Sequence, residues 1–190
     1  MLHSNIFKMH LLKAVMWFMV AMPIIVLFFQ EHGLTLSEVM ILQGIYSIAV
    51  ALFEIPSGYI ADVFGRKKTI ILSTIFCFAG YLMFSSYSNF YLFAIAEIFV
   101  GIGGSLMSGA DSALIYDTLL ESKTEESYTK IEGKNYAIGN FSESIAGVLG
   151  GFLAVSSIYA PVYVQTIVLF FSVPIAFSLV EPTINRVNKK

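Results

Sequence analysis

Six long apolar runs, joined by short polar connections, limit this chain to a narrow set of folds. They lie at Leu11–Phe29, Val39–Ala61, Thr69–Ser86, Phe90–Tyr116, Tyr136–Ser156 and Pro161–Val180. Each is near the ~20 residues a helix needs to cross a bilayer. Only 13% of the residues are charged, against about 25% for a soluble domain, so lipid is the expected solvent for most of the surface. Lys8 and Lys13, ahead of the apolar core of the first run, give it the look of a signal peptide. The five further runs and the lack of a small-residue cleavage site argue against that. The expected fold is all-α: a polytopic membrane protein with six transmembrane helices.

The basic residues set the expected orientation. Lys8 and Lys13 lie at the N-terminus, and Arg66, Lys67 and Lys68 fill the second connection. Lys123, Lys130 and Lys134 lie in or beside the fourth, and Arg186, Lys189 and Lys190 in the tail. The first, third and fifth connections have none. By the positive-inside rule both termini and the two basic connections are cytoplasmic. Residues 1–190 read as a single six-helix transmembrane domain, with 121–132 a solvated cytoplasmic linker between helices 4 and 5. The single cysteine, Cys77, lies within an apolar run and reads as a small packing residue.

Four acids fall inside the runs: Glu54, Glu97, Asp111 and Glu143. Ionisable groups at such depth usually face a bundle interior or a water-filled cavity. They share helical faces with small and polar residues, as Gln43, Ser47, Glu54 and Ser57 do on the second run. Glu97, Gly101, Ser105 and Asp111 line up on the fourth, and Tyr136, Asn140, Glu143 and Gly147 on the fifth. The plainer reading of the small residues is close helix packing. Glu143, about ten residues into the fifth run, lies near the midplane at ~1.5 Å per residue. It is the first candidate for a coupling or substrate-contact residue, with Glu54, Glu97, Asp111 and Asn140 beside it. Pro23 and Pro56 are expected to kink or loosen their helices.

The second connection carries G-x-x-x-D-x-x-G-R-K at Gly58, Asp62, Gly65, Arg66 and Lys67. This resembles the signature loop of the major facilitator superfamily, and six spans with both ends inside resemble one N-terminal half of such a transporter, built from 3+3 helix repeats. Val63 stands where that family commonly has a basic residue. The resemblance implies a cytoplasmic latch in which Asp62 or Asp117 pairs with Arg66, while Gly58 and Gly65 allow close approach and a tight turn. Two other family features depart from pattern. Glu97 precedes Gly101 where the family often has an arginine, and Ala146–Gly151 keeps the final glycines of an exporter motif without its proline. Residues 181–190 then read as the start of a central cytoplasmic loop.

The function expected on this reading is secondary active transport of a small organic solute by alternating access, coupled to protons and directed outward. The partners are the solute, protons, membrane lipid, and a C-terminal six-helix half or a second copy. The expected location is a bacterial plasma membrane. The competing reading is a truncated, non-transporting remnant or a scaffold that pairs with other membrane helices; acids near the midplane distinguish the two. An enzyme is not expected, because His3, His10 and His32 lie outside the runs and leave no general base within them. No phosphate-binding loop, nucleic-acid-binding feature, metal-ligand spacing or cofactor motif occurs.

Overall fold

The computed structural model describes residues 2–183. Its helices are α1 (Leu2–Met16), α2 (Ile25–Glu31), α3 (Leu36–Phe64), α4 (Arg66–Ser86), α5 (Phe90–Ser108), α6 (Asp111–Glu121), α7 (Tyr128–Ser156) and α8 (Ala160–Ser178). Short 3₁₀ turns at Met22–Ile24 and Glu125–Ser127 precede α2 and α7. Helix is what lipid demands, because it satisfies every backbone group within its own segment. Five helical stretches are long and apolar enough to cross a membrane, α5 and α6 counting together. Large apolar side chains such as Ile55, Phe152 and Val155 are left on their outer faces.

The helix boundaries follow local chemistry. Thr35 starts α3 with a capping box: its hydroxyl accepts from the Glu38 N–H at 3.3 Å and the Glu38 carboxylate accepts from the Thr35 N–H at 2.8 Å. Asn89 caps α5 by accepting from the Tyr91 N–H at 2.8 Å. Only Gly65 separates α3 from α4, at φ 103°, a conformation that favours glycine. Gly58 makes no turn. It lies within α3, and a Cβ there would meet open space. The close approach falls instead on Gly109, where a Cβ would lie 2.8 Å from the Ser57 hydroxyl. Pro56 is accommodated inside a continuous α3. Helix α7 begins at Tyr128, so the last five residues of the expected 121–132 linker are helical. Of the expected loop at 181–190, only the part up to Thr183 lies within the described residues.

Two of the expected spans are interrupted. The first, predicted at 11–29, is α1 and α2 joined by an irregular stretch around Trp17–Ala21, so it is not one continuous helix. Phe18 N–H turns to the Val15 carbonyl at 3.3 Å rather than to that of Ala14. The Ala14 carbonyl takes the Ser142 hydroxyl of α7 at 2.6 Å instead. A neighbouring serine thus satisfies a backbone group freed by the break. The fourth span is interrupted at Gly109–Ala110, between α5 and α6.

Packing is tightest where glycine lets backbones meet. Helix α5 packs along α3 and α4, α4 also packs on α8, and α1 packs on α7 and α8. A Cβ on Gly103 would lie 2.5 Å from the Cys77 sulfur. The buried side chains form two clusters. One is aromatic, around Phe28, Phe29, Phe84 and Phe93. The other is mainly aliphatic, around Leu12, Ile70, Leu114, Ile115 and Leu179.

The interrupted first span leans on α7 through Gly150, where a Cβ would overlap the Val20 carbonyl oxygen. Overpacking of this kind costs about 1–3 kcal/mol. Gly150→Ala is therefore expected to lower the apparent Tm of the detergent-solubilised protein by roughly 2–12 °C. Gly151→Ala, where a Cβ meets nothing within 4 Å, should leave it unchanged. A thermal-unfolding series monitored by size exclusion checks both.

Candidate functional site

A cavity of about 420 Å³ opens among the helices, beside both interruptions. Its charged lining residues are Lys13 from α1, Glu97 from α5 and Asp111 from the start of α6. Lys13 is the residue the sequence most misleads on. It counts as a flanking cytoplasmic base, yet it is 9% exposed and its ammonium lies 3.1 Å from Asp111 Oδ2. The same ammonium stands 4.6 Å from the Trp17 ring and 5.0 Å from the Tyr136 ring, a cation–π arrangement on two sides. The other Asp111 oxygen accepts from the Ser112 N–H at 2.7 Å. The pair ties the end of α1 to the start of α6, so one ion pair bridges the two interrupted spans.

Glu97 occupies another part of the same wall. It is 5% exposed, and its Oε1 accepts from the Gln43 side-chain amide at 3.2 Å. No cation among the described residues meets it. Gln165, on α8, also lines the cavity; it is 2% exposed and its Oε1 has no hydrogen-bond partner. The remaining walls are mostly apolar or aromatic, including Tyr46, Tyr81 and Met107, with Ser108 and Ser112 adding hydroxyls.

Of the candidates near the midplane, Glu97 and Asp111 are thus brought together in one cavity. Glu54, Asn140 and Glu143 are not: all three are exposed on the outer surface of this chain. Helix periodicity places them on a polar stripe but cannot say what covers that stripe. Lys13, Trp17 and Gln165 are cavity residues that periodicity did not single out. A lysine three residues into an apolar run was the available signal for the first of them.

At the other candidate site, the α3–α4 turn, Arg66 Nη2 lies 2.5 Å from Asp62 Oδ1 and Nε lies 3.5 Å from Asp117 Oδ2. Asp62 is largely exposed, whereas Arg66 and Asp117 are mostly buried. A third acid joins them. Both oxygens of Glu181, just past α8, accept the backbone N–H groups of Arg66 and Lys67, at 2.8 and 2.7 Å. A carboxylate there satisfies orphan donors at the start of α4 and complements its dipole. Further bonds gather the same end of the bundle, including Asn5 to the Val180 carbonyl at 2.8 Å and Thr183 N–H to Glu121 at 2.7 Å.

Comparison with known proteins agrees with this architecture. Residues 9–190 match the family model of the Major Facilitator Superfamily. An uncharacterised transporter of Buchnera aphidicola from Acyrthosiphon pisum is 31% identical over 105 residues, 55% of this chain and 26% of that protein. A second, from Buchnera of Schizaphis graminum, is 27% identical over 147 residues, 77% of this chain and 36% of its own length. The vacuolar membrane amino acid uptake transporter fnx2 of Schizosaccharomyces pombe is 32% identical over 144 residues, 74% of this chain and 23% of its own. The matched stretches therefore cover well under half of each of these relatives.

Removing one partner of a buried ion pair leaves an uncompensated charge and costs about 3–5 kcal/mol. Asp111→Asn, which strands the Lys13 ammonium, should lower thermal stability markedly. The double variant Lys13→Met/Asp111→Asn should recover most of the loss. A double-mutant cycle on apparent Tm measures the coupling; additive losses would mean the pair contributes nothing as a pair.

Proposed function

The chain belongs to the major facilitator superfamily, and we propose that it forms one half of a secondary active transporter that moves a small organic solute by alternating access. It is an integral, multi-pass membrane protein. The observation that carries the proposal is the cavity beside the two interrupted spans, with the Lys13–Asp111 pair and Glu97 in its wall. Transporter sites favour such places, where irregular backbone lines a cavity rather than lipid. A volume of about 420 Å³ falls within the range of small-molecule sites, roughly 300–1,000 Å³.

Movement and coupling follow from the same geometry. Asp111 holds both interrupted spans together through Lys13. Loss of that pair would free both spans at once, and we read the acids of this cavity as the place where proton coupling acts. The Arg66 cluster with Asp62, Asp117 and Glu181 supports a role as a cytoplasmic latch among α3, α4, α6 and the chain after α8. On this reading Gly58, Gly65 and Lys67 belong to the latch. Six spans with both termini cytoplasmic, in a bacterial plasma membrane, complete the arrangement, with the interrupted first segment as one span. A second six-helix half, or a second copy, covers the exposed face carrying Glu54, Asn140 and Glu143, and gives Glu143 its role in coupling. The fission-yeast relative is named for amino acid uptake, which favours solutes of that size. Outward movement remains our reading of direction.

Proteoliposomes bearing an imposed pH gradient test this. Solute flux should follow the gradient, fall at least about tenfold in Asp111→Asn and Asp62→Asn, and survive in Glu126→Gln, an exposed site remote from the cavity lining. Flux indifferent to the gradient would reject proton coupling. No flux from the chain, alone or with a co-expressed second half, would favour the scaffold reading.

A further inference from the structure

The charges in the cavity wall do not balance, and the imbalance selects a kind of solute. Its lining holds two acids and one base. The base is committed: Lys13 is met by Asp111 at 3.1 Å and by two aromatic rings. An anionic solute would have to displace that carboxylate and then face Glu97. Glu97 is the uncommitted charge, 5% exposed and held only by a neutral amide at 3.2 Å. Buried charges are ordinarily paired.

We propose that this cavity receives the cationic end of an amine-bearing organic solute, with Glu97 as its counter-ion and the aromatic wall holding its apolar body. This deepens the transport reading and rests on it. Lys13 is an internal example of the chemistry: an ammonium seated between a carboxylate and the faces of Trp17 and Tyr136. Tyr46 and Tyr81 offer further rings in the lining that Glu97 shares. An inorganic ion would fare worse, since no cluster of three potential metal ligands occurs among the described residues.

Trp17 is the chain's single tryptophan and lines the cavity, so its emission reports occupancy directly. The full chain in lipid nanodiscs is titrated with 3-phenylpropylammonium, 3-phenylpropanol and 3-phenylpropanoate, three probes of one shape and different charge. The ammonium should give a saturable change in Trp17 emission with an affinity at least about tenfold above that of the propanoate. Glu97→Gln should remove most of that preference, with folding of the variant checked by size exclusion. The proposal is overturned if the propanoate binds as well as the ammonium, if no probe gives a saturable change, or if folded Glu97→Gln keeps the preference. Because binding is read without flux, the two readings separate. Ammonium binding without transport would sink the transporter, and transport with an anion-preferring cavity would sink the cation.

Discussion

In lipid a backbone amide or carbonyl has no water to fall back on, and the architecture of this chain follows from that constraint. Long helices meet it within themselves. Where a helix stops or breaks, a side chain from elsewhere must take over. Ser142 covers the Ala14 carbonyl at the break in the first span, and Glu181 covers the first N–H groups of α4. Serines also reach across helix contacts, from Ser73 to the Gly103 carbonyl at 2.6 Å and from Ser105 to the Val50 carbonyl at 3.0 Å. Small residues do double service here. They let backbones approach, and their hydroxyls tie the approaching backbones together.

The interruptions are where this economy becomes function. A continuous helix presents side chains at fixed angles, whereas the irregular stretch at Trp17–Ala21 allows a lysine, a tryptophan and an α6 carboxylate to converge. The Lys13–Asp111 pair is then a structural strut between the two interrupted segments. Glu97 is of another kind. It rests on a neutral partner and serves no strut. Two acids on one span therefore sit differently, one paired with a cation and one with a neutral amide.

At the opposite site the same logic runs through backbone donors. Arg66 faces Asp62 on the end of α3 and Asp117 on α6, while its own N–H and that of Lys67 are held by Glu181. Four segments are tied at one arginine. Such a node ties these segments together at one end of the bundle.

Much of this was legible in the linear chain. Apolar runs of spanning length and the lone Gly65 between two helices are local signals, because span length and positive φ depend on nearby residues alone. The presence of intramembrane acids was equally plain, and so was the resemblance carried by the α3–α4 turn. Which acids face a common cavity was not, because helical periodicity gives a face but not its neighbour. Glu97 and Asp111 turn inward while Glu143 and Glu54 lie outside. The burial of Lys13, the use of Glu181 across 115 positions of sequence, and the break in the first span were decided by tertiary packing. A charge becomes tolerable inside a bundle only when a partner 98 residues away arrives beside it, and only the folded chain brings the two together.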